Sequence, residues 1–282
     1  MRIAQIVLPG ASAYDRKCQR IDHAGLAAVH DVTVVPMEEA ARSGADVAHV
    51  YGPPEPADFV RFPIPYIATA PPPARSLWSA GLLARLTGAG LRARHSREGL
   101  IVSPVGENAV PEAVEEKWFG GHAGLPVLHL AHDVKIIASF ARDAVRPLVE
   151  KTLARIHRFR SDVTWHLYER EPSPEDLAGV DAWIDPATRE NDCDGFTAEA
   201  LVLGLPVVAT RTPINAWRLE NGRTGFLVPL DDANEMTHAI LAALFKVEVA
   251  ESRQAAAKQT VSKFRPRQRL RILSRLYEQQ SS

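Results

Sequence analysis

The sequence predicts an α/β fold, built from parallel-sheet βαβ units and divided into two domains. Short apolar runs rich in β-branched residues recur along the chain, separated by segments of helical periodicity, which is the pattern of strands joined by crossover helices. The 282 residues suffice for two domains, at roughly 100–200 residues each. The periodicity breaks across residues 108–133, a segment with two Pro and three Gly. A boundary in that segment gives a first domain over 1–120, a second over 121–264, and a closing helix over 265–282.

The first half supplies strands at Ile3–Leu8, Val32–Val35, Val47–Tyr51, Tyr66–Thr69 and Leu100–Ser103. The opening MRIAQIVLPG has an apolar run too short for a signal peptide, and it ends in a turn as a first strand would. Prolines at 53, 54, 56, 63, 65 and 71–73 mark loops around short strands. A helix is expected over Leu77–Thr87. Tyr14, Asp15, Arg16 and Lys17, after the first turn, read either as an acceptor contact or as a solvated helix start.

In the second half the strands are Lys135–Ser139, Thr164–Tyr168, Ala182–Ile184, Pro206–Thr210 and Gly225–Val228, with helices at Pro147–Phe159, Ala233–Phe245 and Glu251–Lys263. Pro147 suits a first helical turn, where a missing N–H costs nothing. Asp231-Asp232 supply a cap and a favourable charge for the helix at 233. The final stretch, Phe264–Tyr277, is basic and amphipathic.

A formal net charge of −1 gives no electrostatic case for nucleic acid or an anionic membrane as the main partner. No apolar run is long enough to span a bilayer, so no transmembrane segment is expected. Cys18 and Cys193 are far apart and lack metal-ligand spacing, which suggests free thiols and a cytoplasmic setting. The first strand is followed by Pro9-Gly10-Ala11-Ser12 and not by a glycine fingerprint, and this disfavours a nicotinamide or flavin enzyme.

The most informative stretch is Asp194–Pro229, DGFTAEALVLGLPVVATRTPINAWRLENGRTGFLVP. It reads as a loop, a short helix opening at Phe196–Glu199, a Gly204-Leu205-Pro206 turn, the buried strand Pro206–Thr210, a polar segment, and a second turn and strand over Asn221–Pro229. Open α/β sheets place phosphate-bearing ligands at the carboxyl ends of their strands. An acid such as Glu199, just inside a helix that starts there, is within reach of a ribose hydroxyl.

This series resembles the donor-nucleotide segment of the retaining glycosyltransferases of family 4. The matching residues are Gly195-Phe196, Glu199-Ala200, Gly204 through Thr210, Asn221-Gly222 and Thr224 through Pro229. The resemblance implies the GT-B architecture, two Rossmann-like domains facing across a cleft, with the closing helix crossing back onto the first domain. It further implies transfer of a sugar from a nucleoside diphosphate sugar to a small-molecule, glycan or lipid-linked acceptor, with retention at the anomeric carbon.

Carried over residue by residue, the resemblance puts Arg142 on the donor diphosphate. The family's Lys five residues beyond that Arg is Pro147 here, and Arg146 is the natural substitute. Glu199 takes the ribose. Glu199 is the second acid of the family's pair; the first, which faces the sugar, is open between Asp194 and Glu190, with Gly195, Phe196 and Thr197 beside it. His49, on the strand Val47–Tyr51, and the turn at Gly10 are implied for the opposite wall. The site is expected to be metal-free, with no cofactor beyond the nucleotide sugar as co-substrate. The alternative is a GT-B-like module that binds a nucleotide or nucleotide sugar without transferring it.

Overall fold

The computed structural model describes residues 1–8, 11, 13–52, 66–69, 100–102, 112–120, 134–190 and 196–281. The chain forms two compact units, Met1–Ala113 with Pro266–Ser282, and Val114–Arg265. The expected helix over Leu77–Thr87 lies outside the described residues.

In the first unit the strands are β1 (Arg2–Val7), β2 (Asp31–Val34), β3 (Val47–Tyr51), β4 (Tyr66–Thr69) and β5 (Leu100–Val102). All are parallel, in the order β2-β1-β3-β4-β5. The central β3 is buried along its whole length, as a strand covered on both faces must be. Its alternating side chains separate the two layers. Val47 packs with Ile3, Leu26, Leu273 and Tyr277 on one face. Ala48 and Val50 pack with Ile6, Leu8 and Ala40 on the other. The first face is covered by α1 (Ala13–Leu26) and by the closing helix, which runs over Pro266–Ser281. These two helices approach so closely at Gly25 that a Cβ there would lie 2.2 Å from Leu270 Cδ1.

The start of α1 is not solvated. Tyr14, Asp15 and Lys17 are buried, and only Arg16 of that group is exposed. Lys17 Nζ donates to Glu112 Oε1 at 2.8 Å, both side chains being enclosed. Cys18 is buried on the same helix, and its burial pushes the thiol up to about 11.

The second unit holds α2 (Lys117–Gly120), β6 (Lys135–Phe140), α3 (Arg146–Ile156), β7 (Val163–Tyr168), β8 (Ala182–Asp185), α4 (Thr197–Leu203) and β9 (Val207–Thr210). After these come α5 (Pro213–Arg218), β10 (Phe226–Val228), α6 (Ala233–Phe245) and α7 (Val247–Thr260), so that the closing Pro266–Ser281 becomes α8. The sheet is again parallel, in the order β10-β9-β8-β6-β7. Counted from the start of each unit, both sheets therefore have the strand order 2-1-3-4-5. One face of the second sheet packs Ile137, Ala182, Ile184 and Val208 against Leu148 and Ile156 of α3 and Met236 and Ile240 of α6.

Local chemistry explains the boundaries. Pro147 falls in the first turn of α3. The Asp232 side chain caps α6 by accepting from Asn234 N at 2.9 Å and Glu235 N at 3.0 Å. Gly204 ends α4 at φ 81, a left-handed position that costs glycine nothing. The polar segment after β9 is the helix α5, with Thr212 as N-cap and Pro213 in its first turn.

Candidate functional site

The carboxyl end of the second sheet converges on one carboxylate. Asp185, the last residue of β8, is 1% exposed. Its Oδ1 accepts from Arg142 Nη2 at 3.1 Å. Its Oδ2 accepts from Thr197 Oγ1 at 3.0 Å and from Asn215 Nδ2 at 2.8 Å. Arg218 Nη1 lies 3.8 Å from Oδ2 and donates to Asn215 Oδ1 at 3.1 Å. Four segments meet there: the turn after β6, the end of β8, the first turn of α4, and α5. Asn215 also donates to the Thr210 carbonyl at 3.1 Å, which ties the end of β9 into the cluster.

In an open sheet of this strand order, ligands collect where the order reverses, outside the carboxyl ends of the strands. In the second unit that point lies between β6 and β8, the strands followed by Arg142 and ended by Asp185. Arg142 Nη2 also donates to the Pro186 carbonyl. Its Nε is enclosed and has no hydrogen-bond partner among the described residues. A buried donor left unpaired costs about 1–3 kcal/mol; the 18% of the Arg142 side chain that remains exposed could meet an oxyanion such as phosphate.

The other expected residues fall as follows. Thr197 is buried on Asp185. Phe196 is buried against Phe140, ring centroids 5.4 Å apart. Glu199, in the first turn of α4, is 1% exposed. Arg146 begins α3 with its side chain half exposed, and its ion pair at 3.6 Å is with Asp143. Glu190 is exposed. Gly10, Asp194 and Gly195 lie outside the described residues.

His49 belongs to the first unit and is enclosed completely. It stands in the middle of β3, and its Nδ1 meets Tyr51 Oη at 2.8 Å and the hydroxyl of Tyr277. Tyr51 donates to Asp22 Oδ2 at 3.0 Å. Arg269 of α8 grips the Asp22 carboxylate with two bonds of 2.7 Å. Burial holds the imidazole well below its ordinary value, and the Arg269 charge acts in the same direction. Through these contacts His49 joins β3 to the closing helix.

Asp185, Asn215 and Arg218 are not among the residues that the sequence singles out. Asn215 and Arg218 are three residues apart on α5, whose Thr212-Pro213 start is a readable cap signal. Asp185 offers no such signal, since its partners lie 12, 30 and 43 residues away. No group of three or more His, Cys, Asp or Glu among the described residues is placed to hold a metal ion. Asp192-Cys193-Asp194, outside those residues, is however an Asp-x-Asp sequence, and it counts against the metal-free expectation.

Residues 135–245 match the family described as Glycosyl transferases group 1. The matched region contains the whole second sheet and every residue of the Asp185 cluster. No curated protein matches the chain. Among solved structures, a glycosyltransferase from Rickettsia africae is similar, with a TM-score of 0.66 at 13% identity over 99% of this chain and 98% of that one. HepE from Anabaena, solved in complex with UDP and glucose, gives 0.65 at 13% identity over 99% and 100%. Sucrose-phosphate synthase from Thermosynechococcus elongatus gives 0.65 at 15% identity over 99% and 98%. At such identities these likenesses establish a shared fold, the parallel α/β architecture of GT-B glycosyltransferases. No described helix is long and apolar enough to cross a membrane.

Proposed function

We propose that this protein is a glycosyltransferase that moves a sugar from a nucleoside diphosphate sugar to an acceptor hydroxyl, with retention at the anomeric carbon. The observation that carries the reading is the family match over 135–245, which coincides with the sheet whose carboxyl end holds Arg142 and the Asp185 cluster. The UDP and glucose named for HepE make a uridine donor the first to try.

In this reading Arg142 binds the donor diphosphate through the donors that Asp185 and Pro186 leave over, and Arg146 adds a second positive charge at the start of α3. Glu199 holds the ribose. Asp194 or Glu190, with Gly195, Phe196 and Thr197, faces the sugar. The acceptor oxygen bonds to the anomeric carbon on the face from which the diphosphate leaves. The carbon–oxygen bond to the phosphate breaks, and the acceptor proton passes to the departing phosphate oxygen. The arginines stabilise the charge that grows on the diphosphate, which is catalysis by donors already in place. Gly10 belongs to the acceptor side, and His49 supports that side through Tyr51 and Tyr277 without touching substrate. The acceptor is a small molecule, a glycan or a lipid-linked sugar, and the setting is cytoplasmic.

The test is a donor screen with UDP-, GDP- and ADP-sugars, following nucleoside diphosphate release and the anomeric configuration of the transferred sugar. Release from one donor is expected. Arg142→Ala should reduce it about 100-fold, the scale of removing one charge-stabilising donor. Glu199→Ala should weaken donor affinity at least tenfold, as for a lost hydrogen bond to a charged group. Binding without release, even with glycan and lipid-linked acceptors present, would favour the nucleotide-binding module. Absence of binding by any donor would sink the donor-site assignment.

A further inference from the structure

Asp185 sits at the ligand-collecting end of the second sheet, yet both of its oxygens face protein donors. Arg142 takes Oδ1, while Thr197 and Asn215 share Oδ2. The carboxylate is therefore engaged on its protein side and is enclosed.

Its effect falls on Arg142. The Nη2 of that guanidinium is fixed twice, by Asp185 Oδ1 at 3.1 Å and by the Pro186 carbonyl. A planar fork held twice through one nitrogen cannot swivel, so the direction of its remaining donors is set before any ligand arrives. The side chain is not sealed off, since 18% of it stays exposed and can meet a ligand. Preorganisation of this kind lowers the ordering cost of binding. The residue type matters as well. Three donors converge on the two oxygens, so an amide in place of the carboxylate would turn its own N–H groups towards Arg142 or towards Thr197 and Asn215.

We infer that Asp185 is a positioning residue of the donor site, holding the Arg142 guanidinium in the orientation that meets a nucleoside diphosphate. This inference rests on the donor-site reading above. Asp185 acts through Arg142 and does not touch the donor.

The experiment compares the binding of UDP, GDP and ADP with that of the corresponding monophosphates by titration calorimetry on the full chain. The readout is the ratio of diphosphate to monophosphate affinity, because a general loosening of the site would weaken both alike. The wild type should prefer one diphosphate. Asp185→Asn should reduce that preference about tenfold, the size of one charge-assisted hydrogen bond. In an Arg142→Ala background, Asp185→Asn should change the ratio no further. Should Asp185→Asn fail to fold, Asn215→Ala removes one partner of the same carboxylate and should lower the ratio about threefold, one donor of several being lost. A ratio unchanged in the Asp185 or Asn215 variant, or effects that simply add to Arg142→Ala, would overturn the inference and leave the donor reading standing. A wild type that does not prefer any diphosphate would overturn both.

Discussion

His49 shows how burial decides what a residue can do. It is neutral in the folded protein because burial and Arg269 hold its imidazole well below the ordinary value, while in the unfolded chain it takes a proton near pH 6.5. The depressed folded value fixes the sign. The contribution of His49 to stability is present above that pH and is lost as pH falls, because the unfolded state binds the extra proton. The slope is about 1.4 kcal/mol per pH unit for one such group. The groups facing it, Asp22, Tyr51, Tyr277 and Arg269, are themselves buried, and burial pushes both tyrosines up, so they stay protonated through this range. His49→Gln should be less stable than wild type at pH 7.5. In denaturant unfolding the gap should narrow by about 2 kcal/mol by pH 5, one group titrating over one and a half units. A gap that stays constant would show that His49 carries no proton-linked stability.

At the scale of elements, the same network fixes α8 to α1 and β3. Arg269 and Asp22 are both buried, so removing one partner leaves the other charge stranded. Arg269→Met should cost about 3–5 kcal/mol, read as an earlier unfolding transition. The double variant Asp22→Leu with Arg269→Met should recover most of that loss, since a hydrophobic pair can replace a buried ion pair at little cost. Loss of the α6 cap by Asp232→Ala should cost about 1 kcal/mol and leave donor binding unchanged. These elements also show what the sequence made legible. The sequence marks Val47–Tyr51 and Tyr66–Thr69 with their observed ends, and Val207–Thr210 to within one residue, because strands in a parallel sheet are continuous apolar runs between turn signals. The burial of α1 leaves no mark in the sequence, because its buried residues include Asp15, Lys17 and Asp22. The partners of two of these charges are Glu112 and Arg269, 95 and 247 residues away. Sequence periodicity scores such a face as polar; only the folded chain brings the opposite charges to it. Asp185 escaped notice for the same reason.

For the molecule as a whole, the proposed place of the donor nucleotide is the second sheet, of order 2-1-3-4-5 counted from its own start, at the reversal between β6 and β8. The family match and the conformation of Arg142 support that placement. The motif series from Gly195 to Pro229 was legible because turns, a left-handed glycine and a buried strand leave local marks. The carboxylate that orients the arginine left none. The most direct test is a crystal structure of the full chain with the nucleoside diphosphate selected by the donor screen. The diphosphate is expected against the exposed part of the Arg142 side chain, with Asp185 still on Nη2 and the ribose hydroxyls at Glu199. A nucleotide bound elsewhere on the chain, away from Arg142, would contradict this placement.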